Sequence, residues 1–285
     1  ALGFIGYKVG MTHVLVKDEN PNSHRKDMQV FTPVTVLECP PLKVYGVRYY
    51  LQDEEGQSKV IAELRSKKTE KELVRKIKPA KKEHKIPESF DRVMLIVYTQ
   101  PKLTGIGKKK PDMVELAVGG GSLEEQSTYA QSLLDTEIKL SDVIKAPQFI
   151  DVHAVTKGKG FSGVVKKFGV KLLNHKSEKT KRGIGTMGAW TPKSVSYTVA
   201  QCGKWGYHLR TEYNKVAMKI GDKPEEINPK GGFVRYGVVK NDYLLIKGSV
   251  PGAFKRPVTV TEAIRTKKKL HPVNITYTSL ESKQR

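Results

Sequence analysis

The residues best suited to chemistry lie between positions 155 and 215. Gly158-Lys159-Gly160-Phe161-Ser162-Gly163 has the spacing G-x-G-x-x-G, in which glycines let the backbone approach a phosphate closely. A dinucleotide site built on that spacing follows a strand and opens a helix. It also needs an acid about 20 residues later to hold a ribose. Phe149–Val155 reads as the strand, but Glu178, at about the required distance, stands in a lysine-rich run without strand character. We therefore read a loop whose glycines permit close approach while Lys157 and Lys159 touch phosphates. A protein kinase would need D-F-G and H-R-D, and the sequence has neither. The seven histidines show no H-E-x-x-H spacing, and there is no G-x-S-x-G elbow. Cys39 and Cys202 form no C-x-x-C pair, so a cysteine zinc site is not expected; two lone cysteines point to a reducing compartment.

The charge points the same way. The chain has 285 residues, 51 Lys+Arg against 29 Asp+Glu, and a formal net charge of +22. A compact protein with this excess repels itself and favours a polyanionic partner. Residues 155–215 hold thirteen Lys+Arg and two acids, Glu178 and Glu212, a net of +11. Residues 116–150, by contrast, carry a net of −3. The candidate nucleic-acid contacts in the basic stretch are Lys157, Lys159, Lys166, Lys167, Lys171, Lys176, Lys179, Lys181, Arg182, Lys193, Lys204, His208, Arg210 and Lys215. Lys108, Lys109 and Lys110 form a separate basic loop, and Lys267–Lys269 a basic tail. Basic side chains neutralise phosphates, and aromatic planes stack on unpaired bases. Trp190, between Gly188 and Pro192, reads as a projecting contact residue; Trp205 reads equally well as contact or core. No apolar run approaches the ~20 residues of a membrane span, and a peripheral membrane protein would need a basic amphipathic helix that is missing here.

The elements that position these residues are mostly strands. Residues 4–16, 30–37 and 44–50 are rich in β-branched and aromatic residues and read as strands of one antiparallel sheet. Val93–Tyr98 reads as a buried strand, residues 232–239 and 243–250 as a hairpin around Asn241-Asp242, and Val258–Val260 as a further strand. Charges at helical spacing place a solvated helical excursion at about 60–85. Ser122-Leu123-Glu124-Glu125 is a capping box opening a helix to about Leu134, within a second excursion at about 122–146. Residues 174–189 have only Ile184, Met187 and Ala189 as apolar side chains and cannot offset their own ordering entropy. The domain reading is a body of 1–156 with 215–285 and an extended finger of 157–214. The fold class is mostly β with α insertions (α+β).

Five stretches, Lys108–Pro111 and Leu245–Gly252 among them, together resemble a known family. Phe149-Ile150-Asp151-Val152-His153-Ala154-Val155-Thr156-Lys157-Gly158-Lys159-Gly160-Phe161-Ser162-Gly163-Val164-Val165-Lys166-Lys167-Phe168-Gly169 looks like the signature of the universal third large-subunit ribosomal protein (L-three) family. Gly206-Tyr207-His208-Leu209-Arg210-Thr211-Glu212-Tyr213-Asn214-Lys215 and the opening run from Gly3 to His13 resemble its archaeal and eukaryotic branch. The resemblance implies a ribosomal β-barrel body and a long finger running through ribosomal RNA toward the peptidyl transferase centre, with Trp190 at its tip. It implies a structural, non-enzymatic, RNA-binding role in the cytoplasmic large subunit, with early binding near the 3′ end of its RNA. The implied partners are large-subunit ribosomal RNA and neighbouring proteins including the L-fourteen family, with no membrane and no small-molecule substrate. No cofactor is implied for the chain itself, any structural Mg²⁺ being held by the RNA. Relatives usually carry a basic N-terminal tail before the first strand, whereas this sequence opens at Ala1. Lysines and Glu178 between Leu173 and Gly183, where more arginines are expected, change the contact geometry there, because lysine lacks the bidentate fork. The alternative from another class is an RNA-modifying enzyme with a basic groove, which turnover of a cofactor without ribosomes would reveal.

Overall fold

The computed structural model describes every residue except 68, 69, 79–84, 267–269, 283 and 285. The chain divides into two compact units, Ala1–Ala154 with Thr211–Arg285, and Val155–Arg210. The elements run β1 (Gly3–Lys17), β2 (Gln29–Glu38), β3 (Leu42–Gln52), β4 (Ser58–Arg65), α1 (Lys71–Val74), β5 (Arg92–Tyr98), β6 (Met113–Ala117), α2 (Leu123–Ser132), β7 (Glu137–Ile138) and β8 (Gln148–Val155). There follow β9 (Phe161–Ser162), α3 (Val164–Phe168), β10 (Gly203–Lys204), β11 (Leu209–Gly221), β12 (Tyr243–Lys247), β13 (Pro257–Glu262) and β14 (Asn274–Thr278).

In the first unit the long strand β1 organises a closed sheet. The order β13-β8-β11-β12-β2-β1 returns on itself because β1 also pairs with β13. Gly3–Tyr7 of β1 pairs with β13 and Val14–Lys17 with β14, while β2 runs along the other edge. Closure removes the open sheet edges that would otherwise recruit other chains. A second sheet has the order β4-β3-β5-β6, with β7 beside β3. The two sheets share a core in which Phe4, Ile5, Leu37, Val47, Leu95, Val152 and Val258 are all buried. Each such side chain contributes roughly 1.5–3 kcal/mol. The capping box forms as expected: Ser122 Oγ accepts from Glu125 N at 3.3 Å, and Ser122 N donates to Glu125 Oε2 at 3.0 Å.

Buried polar groups tie the first unit together. Glu38 is fully buried and accepts from Tyr236 OH, from Lys240 N at 2.8 Å, and from Asn241 N and Nδ2 at 3.1 and 2.8 Å. Burial first, then the neighbouring Glu38 carboxylate, pushes the Tyr236 phenol far above its ordinary value. Asp151 accepts from Asn214 N at 2.8 Å and Ile264 N at 3.2 Å, fixing β8 against the chain around it. A buried carboxylate is tolerable only with such partners.

Several expectations are corrected. Residues 42–52 join the second sheet, not the sheet of β1 and β2. The excursion at 60–85 begins as strand: β4 pairs with β3, with Leu64 opposite Val47 and Ala62 opposite Tyr49. Its charges mimic a helical period, yet Ala62 and Leu64 alternate as strand residues do. The described helix there is the single turn Lys71–Val74; 79–84 lie outside the described residues. The excursion at 122–146 is helical only at Leu123–Ser132, followed by β7 and a 3₁₀ turn at Leu140–Asp142. Residues 232–239 are not a hairpin arm. Left-handed backbone at Gly232, Arg235 and Gly237 folds them into a tight loop, and β12 pairs with β2 and β11 instead.

Candidate nucleic-acid interface

The second unit starts where β8 ends. Its root is an antiparallel ribbon of residues 156–162 against 203–208. Thr156 N donates to His208 O at 2.9 Å, Lys159 N to Trp205 O at 2.8 Å and Trp205 N to Gly160 O at 2.9 Å. β9 pairs with β10, Phe161 opposite Lys204 and Ser162 opposite Gly203. Gly206, at φ +73°, lies where a Cβ would stand 2.0 Å from the Lys157 carbonyl oxygen, so the ribbon closes only around glycine here.

The G-x-G-x-x-G loop is thus one arm of this ribbon. The helix it opens, α3, has five residues and stops at left-handed Gly169. Glu178 lies in a turn region, not on a strand. That is not a dinucleotide fold, in which a full helix points its N-terminus at the pyrophosphate.

Beyond Gly169 the chain is held by isolated turns. Leu173 N donates to Lys181 O at 3.0 Å, Ser177 N to Asn174 O at 2.9 Å and Lys193 N to Trp190 O at 2.9 Å. In the second unit Ser162 and Val164 are the only buried residues among those described. Trp190 is 84% exposed and Tyr197 98%. Lysines flank aromatic rings: Lys159 Nζ lies 3.7 Å from the centre of Trp205, Lys204 Nζ 5.3 Å from Tyr207 and Lys193 Nζ 5.8 Å from Trp190. Trp205 is half-buried beneath Lys159.

The structure treats the candidate contacts differently. Val155–Arg210 carries twelve Lys+Arg and one acid, Glu178. Among the described residues, Lys166, Lys171, Lys176, Lys179, Lys181 and Arg182 form no ion pair with the chain's own carboxylates. All six are exposed, and such side chains remain available to phosphates. Lys167 lies close to Phe168. His208 joins the ribbon through its backbone, and Arg210 Nη1 donates to Leu209 O. Lys215 lies in the first unit, paired with Glu212 at 2.8 Å. In the separate basic loop Lys108 is paired with Asp112 at 2.5 Å, while Lys109 and Lys110 are exposed. Partial burial lowers the Lys76 ammonium from its ordinary value; Asp112 opposes this, and Lys108 and Lys110 add to it. Lys76, itself exposed, thus feels the charges of this loop. Sequence reading missed it because it sits in the charge-mixed stretch after α1. It also missed the exposed aromatics Phe161, Phe168, Tyr197 and Tyr207. Their position among glycines and lysines, with few apolar neighbours to build a core, was the available signal. Lys267–Lys269 lie outside the described residues.

Comparison with known proteins covers the whole chain. The family model for ribosomal protein L3 matches residues 1–285. The large ribosomal subunit protein uL3 of Methanobrevibacter smithii is 46% identical over 99% of this chain and 88% of its own. The uL3 of Thermoplasma acidophilum is 46% identical over 99% and 87%, and that of Methanocaldococcus jannaschii 42% over 98% and 86%. Similarity of this extent, running through both the barrel and the basic unit, means that the chain belongs to the ribosomal protein L3 family.

Proposed function

We propose that this chain is a structural, non-enzymatic component of the large ribosomal subunit in the cytoplasm, and that it works by binding ribosomal RNA. The carrying observation is the combination found in Val155–Arg210: a net charge of +11 with only Ser162 and Val164 buried. Such a segment has too little apolar burial to hold its own shape and too much like charge to collapse. Folded RNA supplies both counter-charge and walls. In this reading the segment is a finger threaded between RNA helices. Its Trp190 tip lies toward the peptidyl transferase centre, and the barrel unit binds early near the 3′ end of the RNA beside the L-fourteen protein. Lys76, Lys109 and Lys110 provide a further phosphate contact on the first unit.

The salt dependence of binding to large-subunit RNA tests this. Each neutralised phosphate steepens the slope of log K against log salt by about 0.7–0.9. A slope of about −4 to −5 is expected from the six unpaired basic side chains of the second unit alone. A slope shallower than about −2 leaves fewer than roughly three neutralised phosphates and overturns the reading.

A further inference from the structure

The ribbon at the root of the second unit presents an aromatic platform. Side chains of β9 alternate in the ordinary strand manner: Ser162 is buried and Phe161 is 77% exposed. Lys204 stands directly opposite Phe161 in the pairing, and its Nζ lies 5.3 Å from the centre of Tyr207. Tyr207 is itself 59% exposed. Two successive left-handed residues, Gly206 at φ +73° and Tyr207 at φ +56°, set its direction, and Gly206 allows no side chain. Phe161 makes no ring or cation contact with the chain among the described residues. Trp205 differs, since Lys159 covers its face at 3.7 Å. The ribbon thus holds one large apolar face open, on a hydrogen-bonded backbone, with Lys204 opposite it in the pairing and that ammonium near a second exposed ring.

We propose that this ribbon grips an unpaired nucleotide of the RNA, its base stacked on Phe161 beside Tyr207 and its neighbouring phosphate held by Lys204. The proposal rests on the RNA-binding reading above and adds to it the kind of RNA recognised here. A continuous duplex hides the faces of its bases, so the target is a loop, a bulge or a splayed-out residue. Lysine alone would serve a duplex backbone equally well and gives no reason for an exposed phenylalanine. The ring argues for a base, and the ammonium beside it for the attached phosphate.

Salt series with the full chain and large-subunit RNA separate stacking from charge. Phe161→Ala should weaken binding about 5- to 150-fold at every salt concentration, the span of one lost base stack, and leave the log–log slope unchanged. Phe161→Trp, which keeps an aromatic face, should restore affinity. Lys204→Gln should make the slope shallower by about 0.7–0.9. In chemical probing, Phe161→Ala should expose a nucleotide that the original chain protects and that is unpaired in the RNA. Thermal unfolding should shift little, because Phe161 is mostly exposed. Unaltered affinity in Phe161→Ala, or newly reactive nucleotides that are all paired, overturns the proposal. If the original chain binds with a steep slope and Phe161→Ala behaves like it, only the stacking site fails. A shallow slope in the original chain removes the RNA-binding reading itself.

Discussion

Gly206 offers the sharpest test of the ribbon. An alanine there meets two costs. Left-handed backbone costs an L-residue roughly 1–2 kcal/mol. The new Cβ would also lie 2.0 Å from the Lys157 carbonyl oxygen, where 3.0 Å is the closest approach real Cβ atoms show. The two arms must part by about 1 Å. That carbonyl accepts from Tyr207 N at 3.3 Å, so this hydrogen bond is lost, at roughly 0.5–1.5 kcal/mol. The sum is about 1.5–3.5 kcal/mol. If RNA engages only the closed ribbon, Gly206→Ala lowers affinity by roughly ten- to several-hundred-fold. No cation is removed, so the salt slope stays where it was. Gly160 is the internal control. It too is left-handed, at φ +67°, but nothing lies within 4 Å of its Cβ position, so Gly160→Ala carries the conformational cost alone. The two variants are compared by RNA affinity and by hydrogen exchange at the Lys159 and Trp205 amides, with thermal unfolding of the first unit as a check. Equal losses in the two variants would refute the argument, since only the approach to Lys157 distinguishes them.

Trp190→Ala should leave the denaturant-unfolding free energy within about 0.5 kcal/mol of the original, as for other exposed positions, while weakening function in assembled subunits; a loss of about 3–5 kcal/mol would mean a buried ring. Stability should fall on the acid side through Glu63. Burial pushes its carboxyl up, but Arg65 and Arg48 more than offset this and hold it below the ordinary value of 4.5. A depressed folded pKa contributes stability above about pH 4.5 that is lost as pH falls through the folded value. Glu63→Gln should therefore narrow the gap to the original chain in urea midpoints as pH drops below about 4.5; midpoint curves that stay parallel would exclude this role for Glu63.

Much of the interface was legible because its signals are local. Gly158–Gly163, the lysine runs and the scarcity of apolar side chains at 174–189 are properties of neighbours in the chain. They forecast an exposed, cationic, weakly self-supporting segment without reference to any distant residue. The exposure of Trp190 followed from the same reasoning. Strand character at residues 4–16 and 93–98 was likewise local, since β-branched and aromatic runs suit a pleated, half-buried surface.

Partners were not legible. Residues 44–50 look like residues 30–37, yet β3 belongs to another sheet, because strand pairing is chosen by burial across the whole unit. Residues 232–239 have strand composition but are diverted by left-handed backbone at Arg235 and by the burial of Tyr236 against Glu38. Lys108 and Lys215 read like their neighbours in charge; their acids, Asp112 and Glu212, stand four and three residues away, and the local backbone geometry decides that these pairs form. By itself the chain's order of residues determined its charge, its strand-forming stretches and the place of its cationic arm, since these depend on composition over a few positions. The tertiary structure alone decided which strands meet and that Phe161 faces outward, because each of these turns on contacts between residues far apart in the chain.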